Sequence, residues 1–138
     1  MSELSKKARL TSWIFQIVVI AILGQTLFFK FTGAEESKAI FEALGAEPWG
    51  RFGTGIAELI AIALLLRSRT AVLGSVLAMG LMGGAIGSHL FKLGIEVQGD
   101  GGTLFVLAVV TFVAAGIVTL VRRADLPLVG SRSAADPA

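Results

Sequence analysis

Cysteine is absent from this chain of 138 residues, and histidine occurs once. Without cysteine there is no disulfide framework, no thiol redox chemistry and no thiolate metal site. One histidine cannot supply both axial ligands of a haem, or a three-histidine zinc site, from a single chain. Charge is scarce too: Asp, Glu, Lys and Arg make up 16% of the residues, against about 25% in an average soluble domain. No G-x-G-x-x-G, Walker-type, G-x-S-x-G or H-E-x-x-H pattern occurs. A soluble-enzyme reading is left without support, and neither a metal site nor an intrinsic cofactor is expected. The formal net charge is +2, with the basic residues at the ends of apolar runs, so there is no nucleic-acid footprint.

What fills the chain instead is hydrophobic surface, 54% of residues with a mean hydropathy of +0.81. That composition predicts one membrane domain with the lipid bilayer as its first partner. Four apolar runs predict helices over about Ser12–Phe29, Pro48–Leu66, Thr70–Phe91 and Thr103–Val121. The expected fold is therefore all-α, a four-helix transmembrane bundle over 12–121. A basic segment (1–11) precedes it and a disordered cytoplasmic tail (122–138) follows. Lys6, Lys7 and Arg9 ahead of an apolar run resemble a signal peptide. The run from Trp13 to Phe31 is long, however, and no small-x-small cleavage pattern follows it. Trp13 suits an interfacial anchor and Pro48 the first turn of the second helix.

In the first long loop, Glu35 to Gly45 places Ile40, Phe41 and Leu44 on one face, and Gly45 is a natural helix stop. This predicts a short interfacial helix, a lid over the bundle, with an ordered loop as the alternative. Arg67-Ser-Arg69 reads as a tight basic turn, and Val97 to Gly102 as a flexible one. With both termini inside, the inner side holds Lys6, Lys7, Arg9, Arg67, Arg69, Arg122, Arg123 and Arg132. The outer side holds Lys30, Lys38, Arg51 and Lys92. The excess predicts N-in, C-in, with the longer loops outside.

That topology has a consequence for the polar residues. An ionisable side chain at the middle of a spanning helix costs roughly 2.5–3.5 kcal/mol on insertion scales, and Glu58 is such a residue. Lys30 closes the first helix on the outer side, His89 closes the third there, and Gln25 lies roughly 7.5 Å below Lys30 by helical rise. Glu58, His89, Lys30 and Gln25 thus come to one outer-leaflet level, a candidate polar binding site. Thr54, Gly55 and Ala61 share the Glu58 face, and such small neighbours turn it toward other helices. Two readings of Glu58 stand: a protonatable group in a ligand site, or a structural ion pair with Lys30, Arg51 or His89. His89 shares a helical face with Met82, Ala85 and Ile86, so it joins the cluster only if that face points inward. Gln16 lies inside the first apolar run, and the sequence does not decide its role. Gly80, Gly83, Gly84 and Gly87 form overlapping G-x-x-x-G patterns, which predict close helix packing within the bundle or a homo-oligomer contact.

Several of these features occur together in a known family. Phe28-Phe-Lys-Phe-Thr-Gly33 ends the first run, Leu44-Gly45 precedes Pro48, Arg51-Phe-Gly-Thr-Gly-Ile-Ala-Glu-Leu59 follows, and His89-Leu90 closes the third run. This arrangement resembles the DoxX-like membrane proteins over about residues 12–121. Lys30, Glu58 and His89 fall on the family's polar positions, whereas the glycine density of the third run is not part of the likeness. The resemblance implies a four-helix bundle and a bacterial inner-membrane location. It also implies a link to quinone-dependent redox complexes, because members are associated with thiosulfate:quinone oxidoreductase subunits. Distant eukaryotic relatives look like assembly or trafficking factors.

Three functional readings follow, and whether the chain is itself catalytic stays open. The first is an accessory subunit of a quinone-linked membrane redox system, with Glu58 and His89 at a quinone headgroup and a redox partner subunit supplying electrons. The second is a non-enzymatic assembly or scaffold protein in which Glu58 is structural. The third is a small-solute or proton transporter, ranked last because four helices without an inverted repeat offer little room for alternating access.

Overall fold

The first helix begins before the apolar run does. In the structure, a computed structural model describing residues 5–97 and 99–125, α1 spans Lys6–Thr32. Ser5 caps it, its Oγ accepting from the Ala8 amide at 3.0 Å. Lys6, Lys7 and Arg9 therefore belong to the opening turns of a helix rather than to a separate basic segment. A serine cap followed by strong helix formers explains the earlier start. At the other end α1 passes Phe29 and stops only where Gly33 takes a left-handed conformation, its N–H donating to Phe29 O.

The short helix of the first loop, α2, spans Glu35–Ala43 between left-handed Gly33 and Gly45. Phe41 and Ser37 are buried beneath it, and Glu35 and Glu36 occupy its first turn, where the helix dipole favours negative charge. Next, α3 spans Trp49–Leu65 with Pro48 at its N-cap. Its buried residues Arg51, Gly55, Glu58, Ala61 and Leu65 recur every three or four positions and make one helical stripe. Helix α4 spans Ala71–Ser88 and runs on into a π-helical turn, His89–Leu93. Helix α5 spans Thr103–Val121, and a 3₁₀ turn over Arg123–Asp125 follows. Among the described residues there is no strand, so the fold is all-α.

Helices α1 and α4 each pack against both α3 and α5 and touch one another little, so they lie across a diagonal. The core between them is Val19, Leu23, Ala61, Leu65, Ala78, Met82, Ala108, Ala114, Ala115 and Val118. Five of these ten are alanine, which keeps the helices close. Large apolar side chains point the other way: Ile17, Ile56, Leu59, Val106, Val113 and Leu120 are all at least half exposed. Small inside and large outside is the arrangement expected where the surroundings are apolar. Three helices, Lys6–Thr32, Ala71–Leu93 and Thr103–Val121, are long and apolar enough to cross a membrane.

The close helix approach falls at a different glycine from those the sequence singled out. A Cβ on Gly74 would lie 2.8 Å from the carbonyl oxygen of Ala61 and 2.9 Å from Leu65 Cγ, so α3 and α4 meet there. At Gly80, Gly84 and Gly87 a Cβ would find nothing within 4 Å, and at Gly83 only Phe112, at 3.7 Å. Their spacing alone suggested packing, but that face of α4 borders open space within this chain.

The end of the bundle where α1 begins and α5 finishes is fastened by polar contacts. Gln16 is fully buried and its Nε2 donates to Leu65 O at 2.8 Å, tying α1 to the end of α3. Arg122 Nε donates to Ser12 Oγ at 2.6 Å and to Gln16 Oε1 at 3.0 Å, and Nη1 reaches Ser68 O at 3.4 Å. Arg122 is thus a buried anchor of the fold and not the start of a tail. Residues 123–125 of the tail expected to be disordered form the 3₁₀ turn, and the rest of it lies outside the described residues. Nearby, Ser75 and Thr119 share a hydrogen bond of 2.8 Å between α4 and α5.

Gly74 and Gly84 should respond to alanine with opposite signs. Gly84→Ala places a methyl group in open space on a helix and should stabilise by up to about 1 kcal/mol. Gly74→Ala forces α3 and α4 apart and should destabilise by roughly 1–3 kcal/mol. Thermal unfolding of both variants in one detergent checks the pair.

Candidate functional site

At the opposite end, where α1 and α4 finish and α3 and α5 begin, the helices diverge around a cavity of about 740 Å³. Helix α2 forms one wall through Ser37, Ile40, Phe41 and Leu44. Leu23, Met82, Leu104 and Leu107 supply apolar floor and sides, and Gly80 and Gly84, lacking side chains, leave room along α4. Gln25, Lys30, Glu58 and His89 all border this one space. They come from three helices, and the helical rise of α1, α3 and α4 brings them to a common level.

Glu58 is the deepest of the four, 2% exposed. The Lys30 ammonium approaches its Oε2 at 3.2 Å, and Thr26 Oγ1 lies 3.3 Å from the same oxygen. The ion pair foreseen for Glu58 is therefore made with Lys30. The other oxygen, Oε1, is buried and has no hydrogen-bond partner among the described residues. Such an atom in a low-dielectric surround costs roughly 1–3 kcal/mol, and more on a charged group.

Arg51 holds Lys30 in place instead of pairing with Glu58. Its Nη1 donates to Lys30 O, Nε and Nη2 form a two-pronged pair with Glu47 at 2.8 and 2.9 Å, and the guanidinium lies 4.5 Å from the Phe52 ring centre. The hydrogen bonds from Arg51 hold the Glu47 carboxyl below its ordinary value of 4.5. The end of α1 is thereby clamped to the start of α3, which positions the lysine above Glu58.

His89 is 5% exposed, so the face it shares with Met82 and Ala85 points inward, and both of those residues border the cavity with it. Its Nδ1 lies 2.9 Å from Gly94 O. A carbonyl only accepts, so Nδ1 carries the hydrogen, and in the neutral ring Nε2 presents a lone pair. The π turn that begins at His89 and ends at left-handed Gly94 makes this contact. Phe105 meets the ring edge-on with centroids 5.6 Å apart.

Gln25 is exposed and borders the cavity from its edge. Thr26, which sequence reasoning passed over, touches the carboxylate instead; a threonine one residue from a flagged glutamine was the available signal. Asp100 was missed as well. Its Oδ2 accepts from the Leu104 amide at 3.0 Å, and its Oδ1 from Val97 at 3.0 Å and Gly102 at 2.8 Å. These bonds cap α5 and tie together a turn that its glycines marked as flexible. Among the described residues no group of three His, Asp or Glu side chains is placed to hold a metal ion. The arrangement is an apolar chamber with a few convergent polar groups, the usual form of a small-molecule site. No family description, curated protein or solved structure matches the chain.

Two predictions follow from these contacts. Lys30→Met leaves the Glu58 carboxylate buried without its cation and should destabilise by about 3–5 kcal/mol, whereas Lys30→Met with Glu58→Leu should recover most of that loss. Denaturation of the two variants in detergent tests this. The second concerns acid. The Leu104 amide, with those of Val97 and Gly102, holds the Asp100 carboxyl below its ordinary 3.8, partly opposed by desolvation. Stability from this carboxylate is complete above about pH 4 and is lost as pH falls through its lower folded value. Asp100→Ala should cost about 1 kcal/mol at neutral pH, and Asp100→Asn, which keeps an acceptor but cannot ionise, should flatten the acid limb of a stability–pH curve.

Proposed function

We propose that the protein is a DoxX-like integral membrane protein that binds a quinone-type headgroup as an accessory subunit of a membrane redox system. In this reading α1, α3, α4 and α5 cross the bacterial inner membrane with both termini inside. Helix α2 then lies at the outer interface as a lid, and the cavity sits in the outer leaflet. Helix α3, with 17 residues, reaches about 25 Å at 1.5 Å per residue, short for a hydrocarbon core of about 30 Å. Exposed Trp49 marks its outer end at the interface.

The observation that carries the reading is Glu58 Oε1, a buried carboxylate oxygen without a partner on the wall of an apolar chamber of about 740 Å³. A quinone joins a flat apolar ring to polar oxygens at its edge. The chamber offers the matching pair, apolar walls with Glu58, Lys30 and His89 at one side. Quinone reduction takes up protons and quinol oxidation releases them, and a carboxylate with an imidazole suits that exchange. With no cysteine and one histidine, the side chains hold no electron carrier of their own, so the electrons come from a partner subunit or a diffusing donor.

Native mass spectrometry of the protein released gently from its own membranes should show a bound quinone or a stoichiometric redox partner. Gly84→Leu, which fills the chamber, should remove the small-molecule adduct. Glu58→Gln and His89→Ala should lower quinone-dependent activity of intact membranes about tenfold, the scale of one hydrogen bond to a charged group. Phospholipid as the only adduct, with membrane activity unchanged in both variants, would overturn the proposal.

A further inference from the structure

The chamber wall includes one buried acceptor that no group among the described residues satisfies. Glu58 is paired with the Lys30 ammonium through Oε2, and in its ionised form a carboxylate only accepts hydrogen bonds. Its remaining oxygen, Oε1, is buried and without a partner among the described residues. His89 spends its one hydrogen on Gly94 O, which leaves Nε2 as a lone pair. Donors border the same space as well. Lys30 Nζ spends one of its three hydrogens on Glu58, Ser37 lines the wall, Thr26 Oγ1 donates to Leu23 O or Glu58, and Gln25 lies at the exposed edge, but none of these donors satisfies Oε1.

An occupant that brings only acceptors leaves Oε1 as it is. An occupant that brings hydroxyl hydrogens satisfies it. We infer that the chamber selects the hydroquinone over the quinone, with one hydroxyl donating to Glu58 Oε1 and the other to His89 Nε2. This rests on the quinone-site reading above and deepens it by assigning the redox state of the bound ligand. The two forms share ring, substituents and tail, so the apolar walls do not distinguish them. Their difference lies in two hydrogens, and Glu58 and His89 read those hydrogens. Hydrogen bonding to an ionised acceptor sets the size of the preference at roughly tenfold or more.

Glu58→Gln makes a sharper version of the same test. The Lys30 ammonium carries donors only, so it holds the amide through its oxygen and turns the NH₂ group toward the chamber. A donor then stands where Oε1 stood, and the preference should reverse in favour of the quinone.

The experiment measures binding of three ligands to the full chain in lipid nanodiscs under anaerobic conditions. They are a short-tailed alkyl hydroquinone kept reduced, the corresponding quinone, and the dimethyl ether of the hydroquinone, which keeps the shape without the hydrogens. The expected result is a hydroquinone affinity at least tenfold above both others, reversed between hydroquinone and quinone in Glu58→Gln. His89→Phe, which keeps an aromatic ring against Phe105, should shrink the preference without reversing it. It serves as the second variant should Glu58→Gln not fold. Equal affinity for hydroquinone and quinone, or a dimethyl ether that binds as tightly as the hydroquinone, overturns the selection and leaves the quinone site standing. Binding of none of the three overturns the site itself.

Discussion

One ion pair organises this protein. Lys30 reaches Glu58 only because α1 continues past the apolar run that defines it, and because Arg51 grips the Lys30 carbonyl from α3. The pair joins two neighbouring helices inside an apolar surround. Buried pairs of this kind are often no more stabilising than well-packed apolar residues of similar volume, while severing one is costly. Stability alone is thus a weak reason for a carboxylate at this depth. The geometry offers a second reason, since the lysine engages one carboxylate oxygen and leaves the other without a partner among the described residues, on a side chain that borders the chamber.

The two ends of the helix bundle contrast in how fully their polar atoms are used. At the Arg122 end, Ser12, Gln16 and the Leu65 and Ser68 carbonyls are knitted into one buried cluster. At the α2 end a cavity lies between the helices, glycines leave it room along α4, and Glu58 Oε1 has no partner among the described residues. Between them lies an alanine-rich core. A closed end and a middle of small residues fix the helices, so the open end can hold a cavity without loss of the fold.

Much of this was legible in the sequence, for physical reasons. Apolar runs must become helices in a chain of this hydropathy, and helical rise alone placed Gln25, Lys30, Glu58 and His89 at one level. What escaped was tertiary. Arg122 sits among residues that read as a polar flank, and only the fold shows that Ser12 and Gln16 await it across more than a hundred positions. Gln16 stands out inside an apolar run, but its role was undecided without the fold that brings Leu65 and Arg122 to it. Spacing misled at the glycines, because G-x-x-x-G marks a small-residue face without saying what lies opposite. Asp100 escaped because its glycine neighbours drew the reading toward a loose turn, although an aspartate shortly before a helix is a capping signal in its own right.

The Arg122 cluster also bears on how the chain is made. Gln16 meets the Leu65 carbonyl as soon as α1 and α3 are both in place, but Arg122 lies beyond the last long helix. During synthesis Ser12 and Gln16 are therefore laid down early, and their guanidinium partner emerges only after α5. The fold has a built-in order of assembly in which the first helix is locked by the last. A chain halted before residue 122 would keep the link from Gln16 to the Leu65 carbonyl but lack the guanidinium that joins Ser12 and Gln16 to the end of α5.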